Sequence, residues 1–186
     1  MDRTLSYNTG IFKEAIIMEN KLTQIYYGQG KGKTTAAVGI GIRAIGNEKK
    51  VIMIQFMKAD SSGECKVLKS LEPYFKVFHF ERKRDINWQL TGEEILELQS
   101  ETMNALKFAS KVMDTGECDV LILDEILNSV EWGVISEEQV CEVIDNKSSD
   151  VELILTGRKL PLSVAEKADY ISRVEDIKRP NNEIIK

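Results

Sequence analysis

The chain is poor in the residues that most often announce a chemistry. It has one histidine, His79, and three cysteines, Cys65, Cys118 and Cys141, which are far apart and form no C-x-x-C pair. That spacing excludes a disulfide framework and a closed zinc site, and it fits a reducing cytoplasm. Lys and Arg number 25 against 30 Asp and Glu, and the net charge of −5 leaves no global positive field for a nucleic acid backbone or an anionic membrane. No run of about 18 apolar residues occurs, so no transmembrane helix is expected, and "EAIIM" is too short for a signal-peptide core. Internal repeats, low-complexity tracts and linkers are also missing. The expectation is a soluble, cytoplasmic protein that uses neither nucleic acid nor membrane.

What is present suffices for one compact domain: 186 residues, 42% of them hydrophobic. The β-branched and apolar runs "LTQIYY", "KVIMIQFM", "FKVFHF", "DVLILDE", "VELILTG" and "DYISRVEDI" alternate with helical patterns. Such alternation predicts an α/β fold, a mostly parallel sheet with helices on both faces. The clearest helix lies between Gly92 and Gly116, where Ile95, Leu98, Thr102, Ala105, Leu106, Ala109, Val112 and Met113 recur at three and four residues. Thr91 with Glu94 predicts its N-cap and Gly116 its stop. Shorter helices are predicted over 32–45, 65–71, 136–146 and 162–168. Residues 1–20 read as an N-terminal extension with no assigned chemistry, and Met18 stands just ahead of the first strand. The domain then runs over 21–178, and 179–186, within "KRPNNEIIK", read as a short loose tail.

The chemistry concentrates in "GQGKGKTT", Gly28 to Thr35, which follows a strand and opens a helix. The usual G-x-x-x-x-G-K-[ST] spacing would put the first glycine where Tyr27 stands; here it has moved to Gly28. Gly28, Gly30 and Gly32, with Gln29 and Thr35 among them, predict backbone N–H groups converging on phosphate oxygens at a helix N-terminus. Lys33 supplies a point charge and Thr34 a hydroxyl for magnesium, while Lys31 is an extra loop cation. A second element, "VLILDE", is a buried strand ending in two acids, either of which, Asp124 or Glu125, is placed to sit near the magnesium. Glu125 is alternatively a group for substrate or a base. His79 is read as structural or surface, and the thiols as buried or inert. A reaction whose nucleophile arrives ready-made with the substrate suits this inventory.

The set "YYGQGKGKTTAAVGIGIRAIG", "VIMIQFMKAD", "CDVLILDEI" and "LILTGR" resembles the P-loop type of ATP:corrinoid adenosyltransferase, in order from about Thr23 to Pro180. The displaced glycine is part of that likeness. The resemblance implies a RecA-like P-loop fold in which the reduced cobalt(I) of cob(I)alamin or cob(I)yrinic acid a,c-diamide attacks the 5′ carbon of ATP and triphosphate leaves. ATP and magnesium, a homodimer and a flavoprotein reductant are implied with it. By the same likeness Lys33 and Glu125 carry catalysis, Arg43 lies near the nucleotide sugar, and Arg158 and Lys58, at strand ends, contact nucleotide or corrinoid. Phe80 and Trp88 are the implied aromatic wedge against the corrinoid. Two stretches depart from the family pattern: the segment around Trp88, and the C-terminal tail, which has Arg179 where histidine is common. Other readings of the same loop and acids are a RecA-like ATPase or small-molecule kinase, and a nucleotide-gated binding module without turnover.

Overall fold

The computed structural model describes residues 22–58, 63–82 and 90–180. The expected extension over 1–20, Trp88 and the tail from 181 onward lie outside the described residues. All six runs read as strands form one sheet: β1 Thr23–Tyr27, β2 Val51–Gln55, β3 Phe75–His79, β4 Val120–Asp124, β5 Glu152–Gly157 and β6 Tyr170–Arg173. Their order is β3-β2-β4-β5-β1-β6, and every neighbouring pair is parallel.

Alternation along the central strands fixes the layers. Ile52, Ile54, Leu121, Leu123, Leu153 and Leu155 point to one face, where they meet Ala105, Ala109, Val112 and Val140 from the helices. Val51, Met53, Val120, Ile122 and Ile154 point to the other and meet Ala37. Strands covered on both faces read as continuous apolar runs, which is why "VIMI" and "VLIL" show no polar alternation.

The helices are α1 Lys33–Gly46, α2 Gly63–Leu68 with a 3-10 turn at Lys69–Leu71, α3 Gly92–Asp114, α4 Ile126–Glu131, α5 Glu137–Asp145 and α6 Leu162–Ala165. Helix α3 starts as its sequence predicts: the Thr91 hydroxyl accepts from the Glu94 N–H, and the Glu94 carboxylate accepts from the Thr91 N–H. Its buried stripe begins at Leu98, a turn later than expected, leaving Ile95 exposed. Helix α4 has no counterpart among the predicted helices; its six residues are too few to show a period. The parallel sheet brings the C-terminal ends of β1, β2, β4 and β5 to one rim, the place where open α/β sheets bind ligands.

Candidate functional site

At that rim, β1 ends at Tyr27 and α1 begins at Lys33. Gly32, the residue capping α1, has φ 107°, a conformation that only glycine adopts without strain. Lys33 is almost wholly buried and donates from Nζ to the Gly30 carbonyl at 2.8 Å, so its charge sits beneath the loop. One residue on, the Thr34 hydroxyl donates to Asp124 Oδ1 at 2.8 Å.

Asp124 is completely buried at the end of β4, and three donors hold it. Its Oδ1 also accepts from the Thr156 hydroxyl at 2.8 Å, and its Oδ2 accepts from Gln55 Nε2 at 2.9 Å. Thr156 lies on β5, the strand between β1 and β4, and so bridges the gap between the loop and the acid. The Gln55 side-chain oxygen Oε1 in turn lies 2.7 Å from His79 Nε2 and 3.1 Å from Cys65 Sγ. With that oxygen accepting, His79 carries its proton on Nε2. Burial, followed by the nearby Lys58 charge, lowers the His79 pKa from the usual imidazole value. The histidine is thus structural, as read from sequence, but it supports the site from behind.

Glu125 turns the chain out of β4 with φ 64°, and its N–H donates to the Thr156 hydroxyl at 2.8 Å. Its carboxylate accepts from the Asn128 side-chain amide, whose oxygen accepts from the Arg158 N–H at 2.8 Å. Burial raises the Glu125 pKa, and the neighbouring Asp124 adds to the rise; the charges of Lys33, Arg158 and Lys58 oppose it. The charges of Lys33, Arg158 and Lys58 thus act in the same direction on Glu125. Lys58 also pairs with Glu64 at 3.3 Å.

Other predicted residues fall elsewhere. Arg43 is ten residues beyond Lys33, about 15 Å along the helix axis, and it lines a cleft of about 520 Å³ with Gln24, Tyr26, Asp119 and Glu152. The loop and Arg43 are not brought together within this chain. Phe80 is half-buried with its ring 5.3 Å from that of Phe108, beside the Phe78–Phe108 pair at 4.7 Å, so it belongs to the packing of α3. Thr35 is exposed on the first turn of α1. The loop amides have unexpected partners: Gly28 N–H donates to the Gly157 carbonyl, Gly30 N–H to the Val174 carbonyl, and Lys31 N–H to Asp176 Oδ1. Arg179, read as the start of a loose tail, donates from Nη2 to the Gln29 carbonyl at 2.9 Å. The tail is tied down at least that far.

Gln55, Thr156, Asn128 and Asp176 were not singled out from the sequence. Gln55 and Thr156 had one legible signal, a polar residue at the end of an otherwise apolar strand. Asp176 had none, because it reaches the loop from 145 positions away.

Thr34, on the helix that follows β1, and Asp124, at the end of β4, are ninety positions apart, and β5 lies between the two strands, yet they share a hydrogen bond. That meeting beneath a glycine loop defines a P-loop protein with the RecA-like arrangement expected from the sequence. Comparison with known proteins narrows the class. The family described as ATP:corrinoid adenosyltransferase BtuR/CobO/CobP matches residues 19–186, and the chain belongs to this family. It is 28% identical over 164 residues to the corrinoid adenosyltransferase of Escherichia coli (strain K12), covering 86% of this chain and 79% of that protein. The corrinoid adenosyltransferase CobA of Salmonella typhimurium (strain LT2) is 26% identical over 161 residues, with the same two coverages of 86% and 79%. Among solved structures, C. elegans PCH-2 aligns with a TM-score of 0.46 at 14% identity, over 87% of this chain and 37% of that one, a likeness that carries no weight here. Among the described residues no helix is long and apolar enough to cross a membrane.

Proposed function

We propose that the protein transfers the 5′-deoxyadenosyl group of ATP to the cobalt(I) of a reduced corrinoid and releases triphosphate. The cobalt lone pair forms the new bond to the 5′ carbon as the carbon–oxygen bond breaks. The bonding electrons leave with the triphosphate, and cobalt becomes formally cobalt(III). Such a nucleophile needs no general base, which suits a loop against which no histidine is placed. The leaving group needs its charge held, and this is the work of Lys33 and the N–H groups at the head of α1. The observation that carries this reading is the seating of Lys33, Thr34 and Asp124 at one rim of a chain of this family.

The donor set fits magnesium: Thr34 and Asp124 offer hard oxygen ligands, and among the described residues no group of three or more His, Cys, Asp or Glu forms an all-protein cage. An ion held by one or two protein oxygens together with substrate phosphates is the usual magnesium arrangement. When bound, it would neutralise phosphate charge. Glu125, clamped by Asn128 within the field of Lys33, Lys58 and Arg158, orients groups at the rim, and Lys58 and Arg158 extend the positive field toward the ligands. Family membership brings three further proposals: a flavoprotein that reduces the corrinoid, a second copy of this chain as partner, and a cytoplasmic location.

The test is anaerobic absorbance of chemically reduced cobalamin with ATP, magnesium and the protein, followed by light. A photolabile cobalt–carbon product, reduced at least about 100-fold by Lys33→Ala, is the expected result. Release of inorganic phosphate without such a product would overturn the reading in favour of an ATPase or kinase.

A further inference from the structure

The C-terminal segment after β6 lies against the phosphate loop and shares its hydrogen bonds. Val174 N–H donates to the Tyr27 carbonyl at 2.7 Å, extending the β1–β6 ladder, and its carbonyl accepts from Gly30 N–H at 2.9 Å. Asp176 then accepts from Lys31 N–H at 3.1 Å with Oδ1, and from Arg179 Nε at 2.9 Å with Oδ2. Arg179 completes the closure by donating to the Gln29 carbonyl at 2.9 Å. The fit leaves no room for a side chain at Gly28 or Gly30: a Cβ on Gly28 would stand 2.3 Å from the Val174 carbonyl oxygen, and one on Gly30 would stand 2.8 Å from the Glu175 backbone. A Cβ on Gly32 would meet nothing within 4 Å.

We propose that Val174–Arg179 is the fixed inner wall of the phosphate loop, with Asp176 and Arg179 as positioning residues, so that polyphosphate is bound only at the head of α1. Donor supply decides where polyphosphate is held. A phosphate loop works by aiming backbone N–H groups at anionic oxygens, and here those of Gly28, Gly30 and Lys31 already have acceptors within the chain. The first N–H groups of a helix have no partner inside it, which leaves those of Lys33, Thr34 and Thr35 at the head of α1, above the buried Lys33 ammonium that donates to the Gly30 carbonyl. The carboxylate of Asp176 serves the N–H that a phosphate would otherwise take, and it holds the loop curvature that presents the helix end. Gly28 and Gly30 are then needed for the wall, and Gly32 for the turn into the helix.

The proposal rests on the reading of ATP as the loop's ligand only for its second measurement. In the first, without nucleotide, amide hydrogen exchange at Lys31 speeds up about tenfold or more in Asp176→Ala and stays near wild type in Asp176→Asn, which keeps an acceptor oxygen. Equal exchange in the wild type and Asp176→Ala overturns the wall. In the second, ATP is titrated against labelled protein. The Lys33, Thr34 and Thr35 amide resonances shift, those of Gly30 and Lys31 stay protected, and Asp176→Ala weakens ATP binding about tenfold while kcat with saturating ATP changes less than about twofold. Asp176→Asn restores the affinity. Tighter ATP binding by Asp176→Ala, or loss of protection at Lys31 on adding ATP, overturns the proposal and makes Asp176 a competitor that nucleotide displaces. Should wild-type protein bind no ATP at all, the functional reading fails, while the exchange measurement still decides the wall.

Discussion

The two halves of the phosphate loop contain the same residue types and have opposite surroundings. Gly28 and Gly30 are buried against backbone, whereas Gly32, Lys31 and Gln29 are exposed. In the first half another piece of the chain passes within van der Waals contact, a demand added at Gly28 to a φ of 121°; the second half needs glycine for a φ of 107° alone. Glycine in a nucleotide motif therefore answers two demands, close approach of another backbone and a left-handed turn, and spacing alone does not tell them apart. The displaced leading glycine belongs to the first kind: at position 28 it makes room for Val174 just where β1 ends.

A methyl group added on each side separates the two halves most strongly. Gly28→Ala places Cβ against a carbonyl oxygen at φ 121°, and a loss of about 3–4 kcal/mol in urea unfolding is expected. Gly32→Ala carries only the conformational cost, about 1–2 kcal/mol, with ATP affinity reduced more than stability. Comparable losses at both positions would mean that the two halves are not distinct. Thr34→Ala comes next in stability. Removing one of three donors to a buried carboxylate costs about 1–2 kcal/mol in thermal or urea unfolding, while turnover falls by about 100-fold or more; Thr34→Ser recovers both.

The two carboxylates flanking the loop give a smaller effect of opposite sign. The Asp176 pKa is lowered, first by the Lys31 N–H, so its contribution is present above the unfolded value near 3.8 and is lost as pH falls through the folded one. The Glu125 pKa is raised by burial, so the folded state holds that proton more tightly and stability declines as pH climbs above 4.5 toward the folded value. Without magnesium, Glu125→Gln should therefore raise the melting temperature at pH 7 and lose its advantage toward pH 4, whereas Asp176→Asn should lower it at pH 7. Melting curves at these pH values check both signs. The smallest effect is that of His79: its lowered pKa makes stability fall as pH drops through 6.5, and His79→Gln should flatten that limb.

Much of this architecture is written locally. The central strands announce themselves because burial on both faces demands unbroken apolar runs, and α3 does so through its capping box and its three-and-four spacing. Lys33, Thr34 and Asp124 are legible because strand, loop and helix are contiguous, and the acid ends a strand of the same sheet. What escapes is the contact across sequence. Gln55 earns its place only because β2 neighbours β4, and Thr156 only because β5 lies between β4 and β1. Phe80 shows the complementary limit: the strand pattern places it on the face of Phe78, and only the fold shows Phe108 packed against both rings. Arg43 lies on the same helix as Lys33, but the pitch of the helix carries it away from the loop.

The position of β1 bears on how the chain is made. A ribosome emits Thr23–Arg43 before the rest of the sheet, but the neighbours of β1 in that sheet are β5 and β6, and its loop is bonded as far along the chain as Arg179. The nucleotide motif is translated ahead of every strand and segment that shapes it. Nascent chains that stop after β4 carry every residue of the motif together with Asp124, yet lack the partners that curve it, so competence for ATP arrives with the final strands.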